Sequence, residues 1–377
     1  MMGSPSTPAA GDTPAAPARS GVPASGGGTR SGPGDGAATG TAGGPDARRG
    51  IDRPRTLRLL RYVSGRLLTA AVSLFAVVVT SFFLFRILPG DPVRALTQDR
   101  AVTVEQMEAM RREFGLDQPL WQQFIDYCLG MLRFDFGVSY QYRVPVTDLL
   151  LDRLGPTVLL AGTGTLIAAV IGLALGTGSA WRRGSVMDRA NTGVALTLWS
   201  VPSFWLGLLL IVALSSGAGL FPTSGMMSPG VTGTFNAAVD VAHHMVLPLA
   251  TMVAVVYAQY MMVMRSSLLD EMGSDYLTTA RAKGLRDALV LRRHAVPNAL
   301  LPTVTLIFLE LGRVLGGVIL VETVFAWPGL GSLFYSGLKV PDLPIVQALF
   351  VVFAGAVIIM NLLADLVYPL LDPRVRS

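Results

Sequence analysis

Six long apolar runs alternate with polar intervals along most of the chain. They cover residues 64–88, 157–181, 190–214, 245–264, 300–321 and 347–371. Each is close to the roughly 20 residues that a helix needs to cross about 30 Å of hydrocarbon. The pattern predicts an all-α membrane protein with six transmembrane helices. Between the first and second spans, residues 89–155 are long enough to form a subdomain of their own. There Thr103 and Gln106 have capping-box spacing, Gly115 suits a helix end and Pro119 a helix start. Leu120, Phe124, Tyr127 and Leu132 then recur at helical spacing. These signals predict a small helical subdomain lying on the outer membrane surface. It serves either as a lid packed on the bundle or as a docking surface for a substrate-delivery protein.

The first 50 residues are of another kind. They are rich in Gly, Pro, Ala, Ser and Thr and nearly free of large apolar side chains. Such a segment cannot bury enough surface to offset its ordering entropy. Residues 1–60 are therefore expected to be a disordered N-terminal extension, and residues 61–377 the membrane domain. Without an apolar core of about 7 to 15 residues, the start does not read as a secretory signal.

Charge placement gives the orientation. Arg48, Arg49, Arg53, Arg55, Arg58 and Arg61 precede the first span, and Arg182, Arg183 and Arg189 lie between the second and third. Arg265, Arg281, Lys283, Arg286, Arg292 and Arg293 lie between the fourth and fifth, and Arg374 and Arg376 follow the sixth. The opposite intervals are poor in bases: residues 215–244 have none and residues 322–346 only Lys339. Basic loops stay in the cytoplasm, so both termini are expected there, in a multi-pass cell-membrane protein.

Composition agrees with a membrane. The 377 residues are 51% hydrophobic and 15% charged, too few charges to clothe a soluble surface. The net charge of +5 does not point to nucleic acid, because the bases sit in short stretches beside apolar runs. One cysteine, Cys128, excludes a disulfide within the chain. No GxxxxGK[ST] loop, HExxH pair, Cys cluster or GxSxG elbow is present, so neither an ATP cradle, a zinc site nor a hydrolase nucleophile is expected. His243 and His244 are adjacent, hence on different helix faces, and read as interfacial polar residues. No cofactor or metal is expected, and if the chain moves a solute uphill, the energy must come from an ion gradient or a partner.

The interval between the fourth and fifth spans carries the most specific signal. It reads DYLTTARAKGLRDALVLRRHAVPNALLP over residues 275–302. A short helix, a break at Gly284 and a second helical stretch make a compact basic element. It is either a solvated amphipathic support for two spans or a rigid knob that inserts into a soluble partner. Small Ala280 and Ala282 permit close approach, and Gly284 permits the bend.

This interval resembles the EAA loop of importer permeases of ATP-binding-cassette systems. That pattern is Glu-Ala-Ala, three residues, Gly, nine residues, then Ile-x-Leu-Pro. Thr278, Thr279 and Ala280 take its first three positions, Gly284 its glycine, and His294, Val296 and Pro297 its last positions. Glu, Ile and Leu of the pattern are thus replaced. The TARAKGL form and the following HA-x-x-NALLP resemble the dipeptide and oligopeptide branch. ILPGDPV, GLDQPLWQQF, FGVSYQYRVPV, VPSFWLGLLL, VETVFAWPGLGSLFY and NLLADLVYPLLDPRVR extend the resemblance over residues 61–376. They point to the permease with the long loop after its first helix.

The resemblance implies a second homologous permease subunit, two ATP-binding subunits and an extracytoplasmic solute-binding protein as partners, all organised about the lipid bilayer. It implies that Thr278, Thr279, Ala280, Arg281, Ala282, Lys283, Gly284 and Pro297 couple this chain to an ATPase, and that this chain has no catalytic site. Some relatives of the branch import nickel or other small solutes instead of peptides. A secondary transporter driven by an ion gradient is the rival class; it predicts inverted repeats, and no clear repeat is visible.

Charged residues within the spans add a last set of candidates. Glu310 and Arg313 lie three apart in the fifth span, as a packing pair or as part of a translocation path. Asn361 and Asp365 share a face of the sixth, toward the end expected in the cytoplasm, and read as hydrogen-bonding to loops or neighbouring helices, or else as part of the path. Gly172 with Gly176, and Gly312 with Gly316, have the spacing of close helix contacts.

Overall fold

The computed structural model describes residues 55–87, 92–97 and 102–371. Residues 1–54 of the predicted extension, most of the ILPGDPV stretch and the last basic residues lie outside these. So do the side chains of residues 55–60 and of Arg313. Fourteen α-helices follow one another among the described residues, with no named strand. They are α1 Arg55–Ile87, α2 Pro92–Thr97, α3 Val104–Glu113, α4 Leu120–Leu132, α5 Val146–Trp181, α6 Val186–Ser200 and α7 Ser203–Leu210. After a wide π turn at Ile211–Gly217 come α8 Thr234–Met272, α9 Asp275–Ala282 and α10 Asp287–Val290. A second π turn, Leu291–Ala295, leads into α11 Val296–Gly317, then α12 Ile319–Val324, α13 Leu330–Lys339 and α14 Leu343–Leu371.

Five helical segments are long and apolar enough to cross a membrane, in α1, α5, α8, α10 to α11, and α14. The bent pair from α6 to the first π turn makes a sixth where the two arms are counted as one span. The expected run over residues 190–214 is therefore not one straight helix: it turns by 100° between Ser200 and Ser203. Pro202 has no N–H for the ladder, and its ring holds the preceding Val201 in an extended conformation (φ −84°, ψ 128°). Among the other spans, α5 and α8 outgrow their predicted bounds most. At about 1.5 Å per residue, the 36 residues of α5 and 39 of α8 run about 54 and 58 Å, so their ends project beyond the hydrocarbon.

α5 and α8 form the centre of the bundle, and small residues set their spacing. A Cβ on Gly172 would lie 2.6 Å from Tyr260 Cβ and 2.7 Å from the Tyr257 carbonyl oxygen; one on Gly176 would lie 2.6 Å from the Met261 carbonyl oxygen. The two backbones touch there, as the spacing suggested. Gly312 likewise meets Val357 of α14, whereas Gly316 faces open space.

Buried polar groups pin the intervals between spans. The Glu322 side chain, fully buried, accepts hydrogen bonds from the Thr157 hydroxyl (2.7 Å) and the Ser332 amide (3.0 Å). The Trp327 indole donates to the Pro156 carbonyl (3.0 Å), so α12 and the start of α13 dock on α5. Asp342 accepts from the Ser139 hydroxyl (2.6 Å) and the Gln141 amide (2.9 Å), which ties the first long loop to the start of α14.

The signals in that loop correspond to real features. Thr103 and Gln106 exchange both bonds of a capping box, and α3 ends at Gly115 with φ +64°. The apolar stripe on α4 divides, however. Phe124 and Tyr127 pack against Phe82 of α1, while Leu120 and Leu132 are exposed. At 100° per residue Leu132 lies about 110° round the helix from the face that holds Phe124 and Tyr127.

Candidate functional site: the loop between the fourth and fifth spans

α9 is a short amphipathic helix lying against the ends of three longer ones. Its inner face is Leu277 and Ala280. These join Ala180 of α5, Met264 and Leu268 of α8, Val290 of α10, and Ala295 and Ala299 in one buried cluster. At 100° per residue the opposite face centres on Ala282, flanked by Thr278 and Thr279, and all three are exposed. The outward surface is therefore flat and built from short side chains. Arg281 and Lys283 stand exposed at its edges, and Arg281 Nε pairs with Asp287 Oδ1 at 3.2 Å.

The turn after α9 is set by one residue. Gly284 has φ +79°, its N–H donates to the Arg281 carbonyl (2.9 Å), and the Leu285 N–H reaches back to Ala280 (3.4 Å). This is a Schellman ending, which needs the left-handed conformation at Gly284. Nothing lies within 4 Å of a Cβ built there, so backbone conformation rather than crowding demands glycine. The chain then reverses through α10 and the second π turn into α11, where Pro297 is exposed near the helix start.

A tyrosine holds the fold of the loop together. The Tyr276 hydroxyl bonds to the Glu271 carboxylate at the end of α8 and lies 3.3 Å from the His294 carbonyl oxygen; it accepts from Asn298 Nδ2 at 2.9 Å. Burial and the neighbouring Glu271 carboxylate push the phenol pKa up, so it remains a neutral donor. Tyr276→Phe should weaken the attachment by about 1–2 kcal/mol. We expect trypsin to cut after Arg281 or Lys283 about tenfold faster in that variant, because opening of the loop exposes them.

The predicted loop residues thus fall in α9 and the turn that ends it, except Pro297 in α11, and they have two roles. Thr278, Thr279, Arg281, Ala282, Lys283, Gly284 and Pro297 are exposed, whereas Ala280 is buried and anchors the helix. The span residues lie elsewhere. Glu310, half-buried on α11, accepts from Gln259 Nε2 of α8 at 3.2 Å; its expected pairing with Arg313 falls outside the described side chains. Asp365 on α14 pairs with Arg66 Nη1 of α1 at 2.8 Å, and Asn361 is exposed. His243 Nε2 lies 3.0 Å from the Leu220 carbonyl oxygen, and His244 is buried beside Asp240. Among the described residues no three metal-ligating side chains come together.

Sequence reasoning missed Tyr276 and a buried ion pair nearby. Asp188, in the first turn of α6, receives Arg265 of α8 in two parallel bonds, Nε to Oδ1 at 2.7 Å and Nη2 to Oδ2 at 2.9 Å. The Gly184 amide adds a third bond at 2.9 Å. Ser185 with Asp188 was readable as a helix start, and the Asp188 amide does bond Ser185 Oγ at 3.2 Å. The partner 77 residues away was not readable.

A multi-pass helical bundle that presents a small, firmly anchored helix outside its spans is one of the helical membrane proteins. The comparisons with known proteins say which one. Residues 169–377 match the family described as binding-protein-dependent transport system inner membrane component, and residues 59–161 match its N-terminal membrane component. The dipeptide transport system permease protein DppB of Escherichia coli (strain K12) is 35% identical over 339 residues, covering 84% of this chain and 99% of that protein. The glutathione transport system permease protein GsiC of the same strain is 37% identical over 318 residues, with the same coverage of both chains. Among solved structures, the inward-facing MetNI methionine ABC transporter aligns with a TM-score of 0.49 and 17% identity, over 59% of this chain and 96% of that one.

The chain belongs to the family of binding-protein-dependent transport system inner membrane components. It is a multi-pass permease subunit of an ABC-type importer, and the ATPase of such a system is a separate subunit.

Proposed function

We propose that this chain forms half of the translocation pathway of an ATP-driven importer of dipeptides and oligopeptides, and that α9 is the handle by which an ATPase subunit moves it. The peptide reading is supported by likeness to permeases named for dipeptide and glutathione transport, at 35% and 37% identity over nearly their whole length. The handle rests on one observation: Leu277 and Ala280 are rooted in the bundle while Thr278, Thr279 and Ala282 face outward. A load on that face passes directly to α5, α8 and α11. The partners are a second permease, two ATP-binding subunits and a solute-binding protein on the far side. The distribution of Lys and Arg supports a cytoplasmic handle and cytoplasmic termini.

A cysteine pair tests the handle. In a Cys128→Ser chain, Ala282→Cys should cross-link to the co-expressed ATPase subunit, and more strongly when nucleotide is bound. Cys at Leu151, exposed on α5, should not. Cross-linking at Leu151 but not at Ala282 would place the grip elsewhere. Competition of uptake by unlabelled dipeptides in intact cells tests the substrate separately.

A further inference from the structure

α4 carries an apolar face that the bundle leaves uncovered. At 100° per residue, Leu120, Phe124 and Tyr127 turn toward α1, and Gln122 and Asp126 lie on the far side. The arc between holds Trp121, Ile125, Cys128, Leu129 and Leu132. Trp121 is 66% exposed and Leu132 79%. Phe134, just past the helix, is 75% exposed although its backbone sits in the left-handed region at φ +56°. That conformation costs a non-glycine residue about 1–2 kcal/mol. It is fixed by local bonds: the Asp135 amide to Gly130 (2.9 Å) and the Thr147 hydroxyl to the Phe134 carbonyl (3.1 Å). The chain thus keeps a large aromatic ring exposed directly after the end of the helix.

This arc is continuous with the outer surface of a span. Phe83, on the exposed face of α1, stacks on Phe124 with ring centroids 5.7 Å apart, and Phe82 meets both Phe124 and Tyr127. Phe83 and Leu84 are themselves exposed at the end of the span. With 13 residues, about 20 Å long, α4 is too short to cross the bilayer. An apolar arc flanked by Trp and Phe, with Asp126 behind it and Arg133 exposed at its end, has the make-up of a helix lying in the plane of a membrane interface.

We infer that α4 is an in-plane anchor whose Trp121, Ile125, Leu129, Leu132 and Phe134 enter the headgroup–acyl boundary of the leaflet at the α1 C-terminal end. The occupant of the face is lipid. The first long loop is then held by the bilayer on one side and by Asp342 on the other. This is independent of the identity of the transported solute.

Spin labels on the full chain in phosphatidylethanolamine–phosphatidylglycerol vesicles test it. In a Cys128→Ser chain, a label at Leu132→Cys or at Leu129→Cys should collide more with oxygen than with a water-soluble nickel chelate. The depth should be about 5–10 Å below the phosphates. A label at Asp126→Cys should show the reverse. Equal, water-like collisions at both arc positions would overturn the inference. So would protection that is absent in vesicles of the chain alone and arises only when the partner subunits or the solute-binding protein are added, which would make the arc a protein interface. Two positions guard against a variant that fails to insert.

Discussion

Uptake should fall to background when Ala282 is replaced by Trp, while the amount of chain in the membrane stays unchanged. Ala282 is the centre of the outward face of α9, and its Cβ points away from the buried cluster around Leu277 and Ala280. A large ring there meets nothing within this chain, so folding has no reason to suffer. It does prevent another surface from lying flat on Thr278 and Thr279. If that face is an interface centre, losing about 2 kcal/mol lowers association about 30-fold. The measurements are uptake in cells, quantity in isolated membranes, and co-purification of the ATPase subunit. Ala280→Trp is the informative contrast. It should also abolish uptake, but through misfolding, because its side chain would have to displace the cluster. Normal uptake with Ala282→Trp would remove α9 from the mechanism.

Loss of the Asp188 carboxylate should strongly destabilise the end of the bundle that carries α9. Asp188→Ala leaves the Arg265 guanidinium, only about a quarter exposed, with neither of its two partner oxygens, and leaves the Gly184 amide unpaired. Breaking a fully buried pair by removing one partner costs about 3–5 kcal/mol, and the partial exposure of Arg265 puts this pair at or below the lower end. The expected readout is a sharp fall in the unfolding temperature of the detergent-purified chain and in its accumulation in the membrane. Removing both partners should cost clearly less than the two single changes summed, because the second removal deletes a charge already stranded. Additive losses would mean that the two side chains do not act as a pair.

How far the sequence revealed this molecule depends on the range of the interaction involved. Helix existence was legible, because twenty apolar residues report directly on solvent. The capping box at Thr103 and Gln106 and the helix end at Gly284 were legible too, because they are local. The bend before Ser203 was hidden inside an unbroken apolar run. Hydropathy records burial in lipid but not direction, and the dipeptide Val201-Pro202 was the sole hint. The outward growth of α5 and α8 was invisible for a similar reason: the added turns carry polar residues such as Asp148, Asp152, Asn236 and Asp240, which end an apolar run without ending a helix. At the site, residue types and spacing placed α9. They could not tell that Ala280 faces inward while Ala282 faces out, which only the packing on Ala180 and Met264 decides. Glu322 with Thr157 and Asp188 with Arg265 are separated by 165 and 77 positions, beyond any local pattern.

The glycine contact between α5 and α8 has a mechanical corollary. Where two main chains touch at Gly172 and Gly176, no side-chain cushion remains to deform, and sliding would drive Tyr260 and Met261 into peptide groups. These two helices therefore travel as a single stiff plank. Opening and closing of a passage must be accommodated at looser seams, such as the elbow before Ser203.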